Sequence, residues 1–407
     1  MCVFFSYPAS PTKPPVMNRL LKPFFSLMAL ACLVSFTLHE RTISKDKPRE
    51  KQVAPVAAAQ KIQVAILLDV SGSMQGLIEQ AKAQLWNMVS VMGKATCATG
   101  TPQIEIALYE YGRTTNDVAK GYIRQLSPFT TDLDSLSQTL FSLTTNGGDE
   151  YCGQVIRQSV KELPWDSNPA SYKVIFIAGN EDFLQGAVTY TEACKEASQK
   201  GLVVNTIYCG PKAQGIREHW NLGGECGAGS FTSIDHNATL EDIPTPYDSA
   251  LLVLNGSLNN TYVAYGYTGR QKLAAQASVD QKNYSMNKSA ALKRVTVKSN
   301  KNLYKNEEWD LVDAVTADSA ILDRVSQETL PDNLKGKSKA ELKEVVVTMN
   351  AKRSKAQAEI SALSAKRETW LIAERKRLAS VGQAPTLESE IEKLIREQAK
   401  RFGMTIQ

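Results

Sequence analysis

The feature that most constrains this chain is a short apolar run, Ile62–Leu68, that stops at an aspartate and leads into a helix-like pattern. The run is rich in β-branched residues and leucine, which is typical of a strand buried on both faces. Within 74–93 the apolar side chains recur at helical spacing. A buried strand followed by an amphipathic helix predicts a parallel sheet covered by helices.

The same alternation continues to residue 234. The pattern predicts further strands at 103–111, 172–178, 202–208 and 229–234, with helices at 132–143, 152–163 and 188–200. We therefore expect an α/β fold with a doubly wound, mostly parallel sheet flanked by helices. Ligands of such sheets bind beyond the carboxyl ends of the strands, which is where Asp69, Gly179 and Cys209 are expected.

The segment Asp69-Val-Ser-Gly-Ser-Met74 sits where the first strand gives way to a helix. Its aspartate and two serines offer hard oxygen ligands of low total charge, which suits Mg²⁺ or Mn²⁺. A helix cap is the simpler alternative, and it would account for one of these side chains.

This segment resembles the D-x-S-x-S motif of von Willebrand factor A (VWA) domains, the family that includes integrin I-domains. The resemblance covers residues 61–236 and does not extend to 250–407. It implies a Rossmann-like sheet and a metal-ion-dependent adhesion site. In that family, Mg²⁺ keeps an open coordination position that an acidic residue of a partner protein fills.

The family takes two further metal ligands, normally Thr and Asp, from later loops, and this sequence departs from both. Asp149 follows Gly-Gly where the family often has Thr, and it is expected to act either as a ligand or as a turn residue. At the end of strand 172–178, Asn180 or Glu181 stands in for the missing Asp. This version also resembles a group of bacterial exported VWA proteins. The expected metal ligands are Asp69, Ser71, Ser73, Asp149 and Glu181.

Residues 17–38 resemble a signal peptide, because Arg19 and Lys22 precede an apolar run. An uncleaved membrane anchor and a lipoprotein site at Cys32 are the alternatives. A polar linker, 39–60, follows. The chain is therefore expected to be exported to the periplasm or cell envelope, with possible attachment to the membrane through this segment. Both ends of the chain are basic and the middle is acidic, which argues against nucleic acid as a partner of the middle.

Export would permit disulfides, and five cysteines follow the signal segment. Their spacing fits no zinc motif. Cys209 at a strand end and Cys226 in the following Gly-rich return are predicted to pair. The remaining cysteines are expected to be buried thiols, with one further structural disulfide as the alternative.

Three segments are expected beyond the linker: a VWA domain at 61–243, a mainly helical extension at 244–333 and a helical hairpin at 334–407. The hairpin has a coiled-coil-like seam, which Arg353 and Arg367 interrupt. It is expected to pack on itself, so that truncation near Asp332 would leave metal binding intact, provided that the core still folds. A dedicated partner-binding arm is the alternative interpretation.

The predicted function is metal-dependent protein–protein interaction in the cell envelope. The alternative is a structural or assembly scaffold that acts through the C-terminal helices, with a vestigial metal site. Enzymatic activity is not expected, because the sequence has no nucleophile elbow, P-loop or dinucleotide fingerprint. His219 and His236 are interpreted as loop histidines without an acidic partner at ligand spacing.

Overall fold

Six strands form one sheet, and the strand that carries Asp69 lies inside it. The computed structural model describes residues 59–72, 74–234, 242–382 and 386–406. The strands are β1 (Lys61–Asp69), β2 (Ala95–Thr96), β3 (Gln103–Tyr111), β4 (Arg124–Thr130), β5 (Tyr172–Gly179), β6 (Val203–Cys209), β7 (Ala228–Ile234) and β8 (Thr405–Ile406). The sheet order is β4-β3-β1-β5-β6-β7, and in this sheet only β4 runs antiparallel to its neighbour. The predicted doubly wound, mostly parallel sheet is confirmed.

Helices cover both faces of this sheet, and further helices form the region between residues 248 and 380. They are α1 (Gln75–Met92), α2 (Leu133–Ser142), α3 (Cys152–Glu162), α4 (Tyr190–Gln199), α5 (Lys212–Arg217), α6 (Trp220–Cys226), α7 (Asp248–Asn259), α8 (Gly269–Met286), α9 (Lys288–Ser299), α10 (Leu311–Ala317), α11 (Ile321–Arg324), α12 (Lys339–Ser380) and α13 (Leu387–Lys400). Successive side chains of a strand point to opposite faces. Val64 and Ile66 therefore pack with α1, α2 and α13 in one core, whereas Ala65 and Leu67 pack with α3, α4 and α6 in the other.

The edge strand β4 was not predicted, and its sequence explains why. Its side chains are half-buried or exposed, so they lack the apolar signal of the inner strands. It also contains Pro128, which sheets tolerate at an edge. Its pairing with β3 shifts register twice, so the strand is irregular as well as polar.

The helical region between residues 248 and 380 is built around the long helix α12. Ser338 and Glu341 begin this helix with a reciprocal capping box. The seam predicted from the heptad pattern is buried or half-buried, but it faces several short helices, chiefly α7, α9 and α10. Arg353 and Arg367, which interrupt the apolar pattern, are buried in the same seam.

The last helix, α13, packs on the sheet rather than along α12. Ile391 and Ile395 join the core beneath α1. Gln398 accepts a hydrogen bond of 2.7 Å from the Tyr172 hydroxyl of β5, and its side-chain amide donates to Asn205 of β6 at 2.7 Å. Strand β8 then pairs with β2, just after α1. The sheet and the helical region consequently belong to one compact unit.

The segment 17–38 lies outside the described residues. Among the helices that the structure describes, none has the length and apolar character needed to cross a membrane.

Candidate metal centre

Asp69 is the last residue of β1 and is fully buried at the carboxyl edge of the sheet. The helix that follows β1, α1, covers one face of the sheet and the helix that follows β5, α4, covers the other, so the edge between β1 and β5 is a point where α/β sheets bind ligands. One carboxylate oxygen, Oδ1, accepts a hydrogen bond of 2.7 Å from the Ser71 amide. This short turn holds the Asp69 carboxyl against the start of α1.

Two serines of the motif follow Asp69. Ser71 is buried, and its carbonyl accepts a hydrogen bond of 3.1 Å from the Met74 amide as the helix begins. Ser73 lies outside the described residues, so its role as a ligand stays a prediction. The motif therefore contributes one buried carboxyl and one buried hydroxyl to the described part of the site.

The two acidic residues after Gly147 and Gly148 lie in different environments. Asp149 is exposed, and the Tyr151 hydroxyl donates a hydrogen bond of 3.0 Å to it. Glu150 is buried, with its carboxyl directly beside the Asp69 carboxyl and the Ser71 hydroxyl. The structure thus brings Glu150 to Asp69 and leaves Asp149 at the surface.

Three oxygens in this cluster are buried without a hydrogen bond to any residue that the structure describes: Asp69 Oδ2, Ser71 Oγ and Glu150 Oε2. Buried polar atoms are normally paired, because an unmet hydrogen-bonding group costs about 1–3 kcal/mol. A cation coordinated by these oxygens would satisfy them. The donor set of two carboxylates and a hydroxyl fits Mg²⁺ or Mn²⁺.

The pKa values of the Asp69 and Glu150 carboxyls also favour a cation at this site. Burial raises the pKa of Asp69 to about 6, and the neighbouring Glu150 carboxyl and the Ser71 amide partly oppose this change. Burial, followed by the charge of Asp69, raises the pKa of Glu150 to about 9. Two adjacent carboxylates in a low-dielectric site resist joint ionisation, and a divalent cation removes that resistance.

Two glycines at strand ends allow this close packing. Gly112 follows β3 with φ of +79°, and a Cβ there would lie 2.9 Å from Asp69 Oδ1 and 3.1 Å from Glu150 Cγ. A Cβ at Gly179, the last residue of β5, would lie 3.1 Å from Asp69 Cβ and 2.5 Å from the Tyr111 hydroxyl oxygen. The sequence analysis did not single out Gly112. Its position after a predicted strand, one strand away from Asp69, was the available signal.

The third loop, after β5, contributes less clearly. Glu181 is exposed, but its charge acts on both Asp69 and Glu150 and raises their pKa values. The Trp220 indole donates a hydrogen bond of 2.7 Å to the Glu181 carbonyl and fixes the loop backbone. Next to it, His219 Nδ1 lies 2.9 Å from Asp182 Oδ1, an acidic neighbour that the spacing in the sequence did not indicate. His236 lies outside the described residues.

Within the described ranges, no three or more His, Cys, Asp or Glu side chains are arranged to hold a metal by themselves. The candidate site therefore depends on hydroxyl donors as well as on Asp69 and Glu150. That composition agrees with the D-x-S-x-S motif, in which serines supply part of the ligand set.

The predicted Cys209–Cys226 disulfide is wrong. Cys226 is bonded to Cys194, and the bond joins α6 to α4 on one face of the sheet. Cys209 is a buried free thiol, as is Cys152. Cys209 ends a strand and its side chain packs into the opposite core, with α1 and α13, so it faces away from α6.

Neither a family model nor a curated protein matches the chain. Solved structures do match. BatB from Bacteroides thetaiotaomicron has 16% identity and a TM-score of 0.33, over 43% of this chain and 90% of that one. The SpRpn10 VWA domain has 14% identity and a TM-score of 0.33, over 43% and 88%. The mussel byssus protein PTMP1, with a zinc-occupied MIDAS motif, has 14% identity and a TM-score of 0.32, over 44% and 43%.

The strand order, the single antiparallel edge strand and the motif at the end of β1 define the class of the domain at 61–234. It is a VWA-like α/β domain, as the motif resemblance predicts.

Proposed function

We propose that this chain is an exported protein that binds a divalent cation at the carboxyl edge of its sheet and uses it to bind a partner protein. The observation that carries the proposal is the group of buried, unpaired oxygens of Asp69, Ser71 and Glu150. Ser73 completes the donor set in the proposal. Glu150 takes the role that the sequence suggested for Asp149, and Glu181 is the remaining candidate from the third loop.

The chemistry of the donors supports Mg²⁺ or Mn²⁺. When bound, the cation would act as a Lewis acid toward an oxygen ligand from outside the chain. The residues of this chain would hold the cation through hard oxygens. Gly112 and Gly179 allow the turns after β3 and β5 to lie close to Asp69. A carboxylate from a partner protein is the ligand of choice for a cation with an open position.

The second carboxylate, Glu150, weakens the attraction between the bound cation and an acidic partner. A site with two carboxylates neutralises more of the cation's charge than a site with one, so it holds metal more tightly and attracts an acidic partner less. We therefore propose a metal-dependent contact of modest strength, whose partner contributes a carboxylate and additional surface around the site.

Calorimetric titration with Mg²⁺ and Mn²⁺ tests the metal site. Wild type should bind one ion, and Asp69→Ala and Glu150→Gln should each abolish or strongly weaken uptake. Asp149→Asn is the matched control, because it removes a neighbouring charge from the surface and should change affinity little. Equal binding by wild type and Glu150→Gln would overturn the proposed donor set.

Export and partner binding need separate tests. Fractionation of a tagged chain should recover it outside the cytosol, and full-length protein confined to the cytosol would contradict export. A pull-down from envelope extract should lose its partner on addition of a chelator and in Asp69→Ala. Retention of the partner under both conditions would instead favour the scaffold function.

A further inference from the structure

A groove of about 750 Å³ lies between the C-terminal ends of α1 and α9 and the middle of α12, away from the metal centre. Its wall on α12 follows one face of the helix and is rich in hydroxyl groups. The lining side chains that the argument uses are Ser90, Lys94, Thr296, Ser361, Ser364 and Glu368. We refer to this space as the hydroxyl groove.

Three of the six charged side chains that line the hydroxyl groove are already in ion pairs. The Lys293 ammonium lies 3.1 Å from Glu392 and 3.6 Å from Glu368, so the Glu368 carboxylate is engaged at the wall. Arg367 lies 3.0 Å from Asp248. These pairs account for the acid and for two of the bases along the groove.

Three further cations line the groove. Lys301 is exposed, and Arg396 donates a hydrogen bond of 3.0 Å to the Ile406 carbonyl. Lys94 is half-buried, yet among the described residues its ammonium has neither a hydrogen bond nor a salt bridge. Burial lowers the pKa of Lys94; Glu368 opposes this effect, and Lys293 and Arg396 add to it. A partly desolvated cation without a partner is costly, and an incoming anion would relieve that cost.

We propose that the hydroxyl groove binds a small phosphorylated polyol, with the phosphate at Lys94 and the polyol along the serines and threonines of α9 and α12. A lysine ammonium is a suitable point-charge partner for phosphate, and hydroxyl groups both donate to phosphate and exchange hydrogen bonds with a polyol. The volume is within the range of small-molecule sites. Either a free phosphorylated polyol or the headgroup of a phospholipid carries this chemistry.

The primary test is calorimetric titration of the full chain with glycerol 3-phosphate. We expect saturable one-to-one binding, and a loss of about tenfold or more in affinity for Lys94→Gln, because a hydrogen bond to a charged group is removed. Inorganic phosphate and glycerol serve as partial probes, and each should bind more weakly than glycerol 3-phosphate. No saturable binding by wild type, or equal affinity for Lys94→Gln, would overturn the proposal.

Two further variants test whether binding takes place in the groove itself. Ser361→Trp fills the groove from an exposed position of α12 and should also weaken binding, whereas Lys343→Gln removes an exposed lysine of the same helix away from the groove and should not. Co-sedimentation with phosphatidylglycerol vesicles identifies the source of the phosphate. Lys94-dependent vesicle binding would indicate the lipid headgroup, and binding of glycerol 3-phosphate alone would indicate a soluble ligand. Equal affinity for inorganic phosphate and glycerol 3-phosphate would remove the polyol from the proposal.

Discussion

Gly112 controls how closely the turn after β3 approaches the two carboxyls of the candidate site. Its φ of +79° is one that side chains of L-residues rarely adopt, and the space beside it is occupied by Asp69 and Glu150. A methyl group here would strain the backbone and push the two carboxyls apart. The metal proposal therefore depends on a residue that supplies no ligand.

Gly112→Ala should lower the free energy of unfolding by about 1–3 kcal/mol and weaken Mg²⁺ or Mn²⁺ uptake, since both the backbone and the carboxyl positions are disturbed. Chemical denaturation and calorimetry measure the two effects. Gly147→Ala is the matched control, because a Cβ at Gly147 meets no atom within 4 Å. Unchanged metal affinity in Gly112→Ala would show that the turn does not set the site.

A second cluster of buried charges links the sheet to the helical region. Arg294 of α9 lies 2.5 Å from both Asp134 of α2 and Asp280 of α8, and its guanidinium lies over the Trp86 ring. Lys298 donates to Asp280 at 2.7 Å. Burial alone would raise the pKa of Asp280, but Arg294 and Lys298 outweigh it and hold the pKa well below its usual 3.8.

A carboxyl whose pKa is lower in the folded chain than in the unfolded chain stabilises the fold above the unfolded pKa, and this contribution is lost on acidification. The free energy of unfolding of wild type should therefore fall as the pH drops below about 4. Asp280→Asn should be less stable at neutral pH and show a shallower fall. Urea denaturation at pH 5, 4 and 3 measures both slopes, with the exposed Asp323→Asn as control. Parallel curves for wild type and Asp280→Asn would contradict this account.

The choice between Asp149 and Glu150 shows where inference from the sequence stops. The motif at Asp69 and Ser71 was readable because a buried strand fixes the direction of the chain at its end. Gly147 and Gly148 precede the two acids and leave the backbone free to turn, so the pattern did not indicate which carboxyl points inward. The folded chain distinguishes them: Glu150 is buried against Gly112 and Asp69, whereas Asp149 is exposed.

At the scale of elements, the heptad pattern correctly predicted which face of α12 is covered, but not which helices cover it. The seam positions are buried or half-buried, but the helix packs on several short helices. Arg353 looked like a defect in an apolar seam. Its guanidinium lies 2.6 Å from Asp310, which is fully buried, and it donates to the Thr261 carbonyl at 2.7 Å. The arginine therefore fixes the position of α12 against α10 and the segment after α7.

Arg353→Met should cost about 3–5 kcal/mol in the free energy of unfolding, because it leaves the buried Asp310 carboxylate without its counter-ion. Arg377→Met is the matched control on the same helix. Arg377 pairs with Glu374 at the surface, and solvent screens such exposed pairs so that they add little to stability. Urea denaturation of both variants checks the difference. Similar losses for the two would show that the interaction of Arg353 is not specific.

At the scale of the whole molecule, the sheet was predictable from the sequence, but the packing of the C-terminal helix α13 against it was not. Inner strands carry continuous apolar runs, and their flanking helices show clear periodicity, so β1, β3, β5 and β6 were recognisable from local sequence. The placement of α13 beneath α1 joins residues about 300 positions apart in sequence, as in the hydrogen bond from Asn87 of α1 to the Glu388 carbonyl. No local pattern encodes such a contact, and an amphipathic helix fits a hairpin equally well.

This placement makes α13 part of the core of the sheet, so the prediction that truncation near Asp332 leaves metal binding unchanged, which assumed a folded core, stays a prediction. Ile395 is fully buried in the same core as β1 and α1. Ile395→Ala should lower the free energy of unfolding by about 2–5 kcal/mol, through lost burial and the cavity that remains. Ile372→Ala is the matched control, because that isoleucine is 59% exposed on α12 and its loss should cost far less.

The same argument applies to the chain cut after Gly382, which lacks α13 and β8 entirely. Because α13 covers one face of the sheet that carries Asp69, the cut chain should fail to fold or unfold in much lower urea, and metal uptake should be lost with the fold. Circular dichroism and calorimetry on the cut chain give both readings. Since the sheet and helical region form one compact unit, wild type should unfold in a single cooperative transition. A cut chain that stays folded and still takes up Mg²⁺ would show instead that the VWA-like domain is complete without α13.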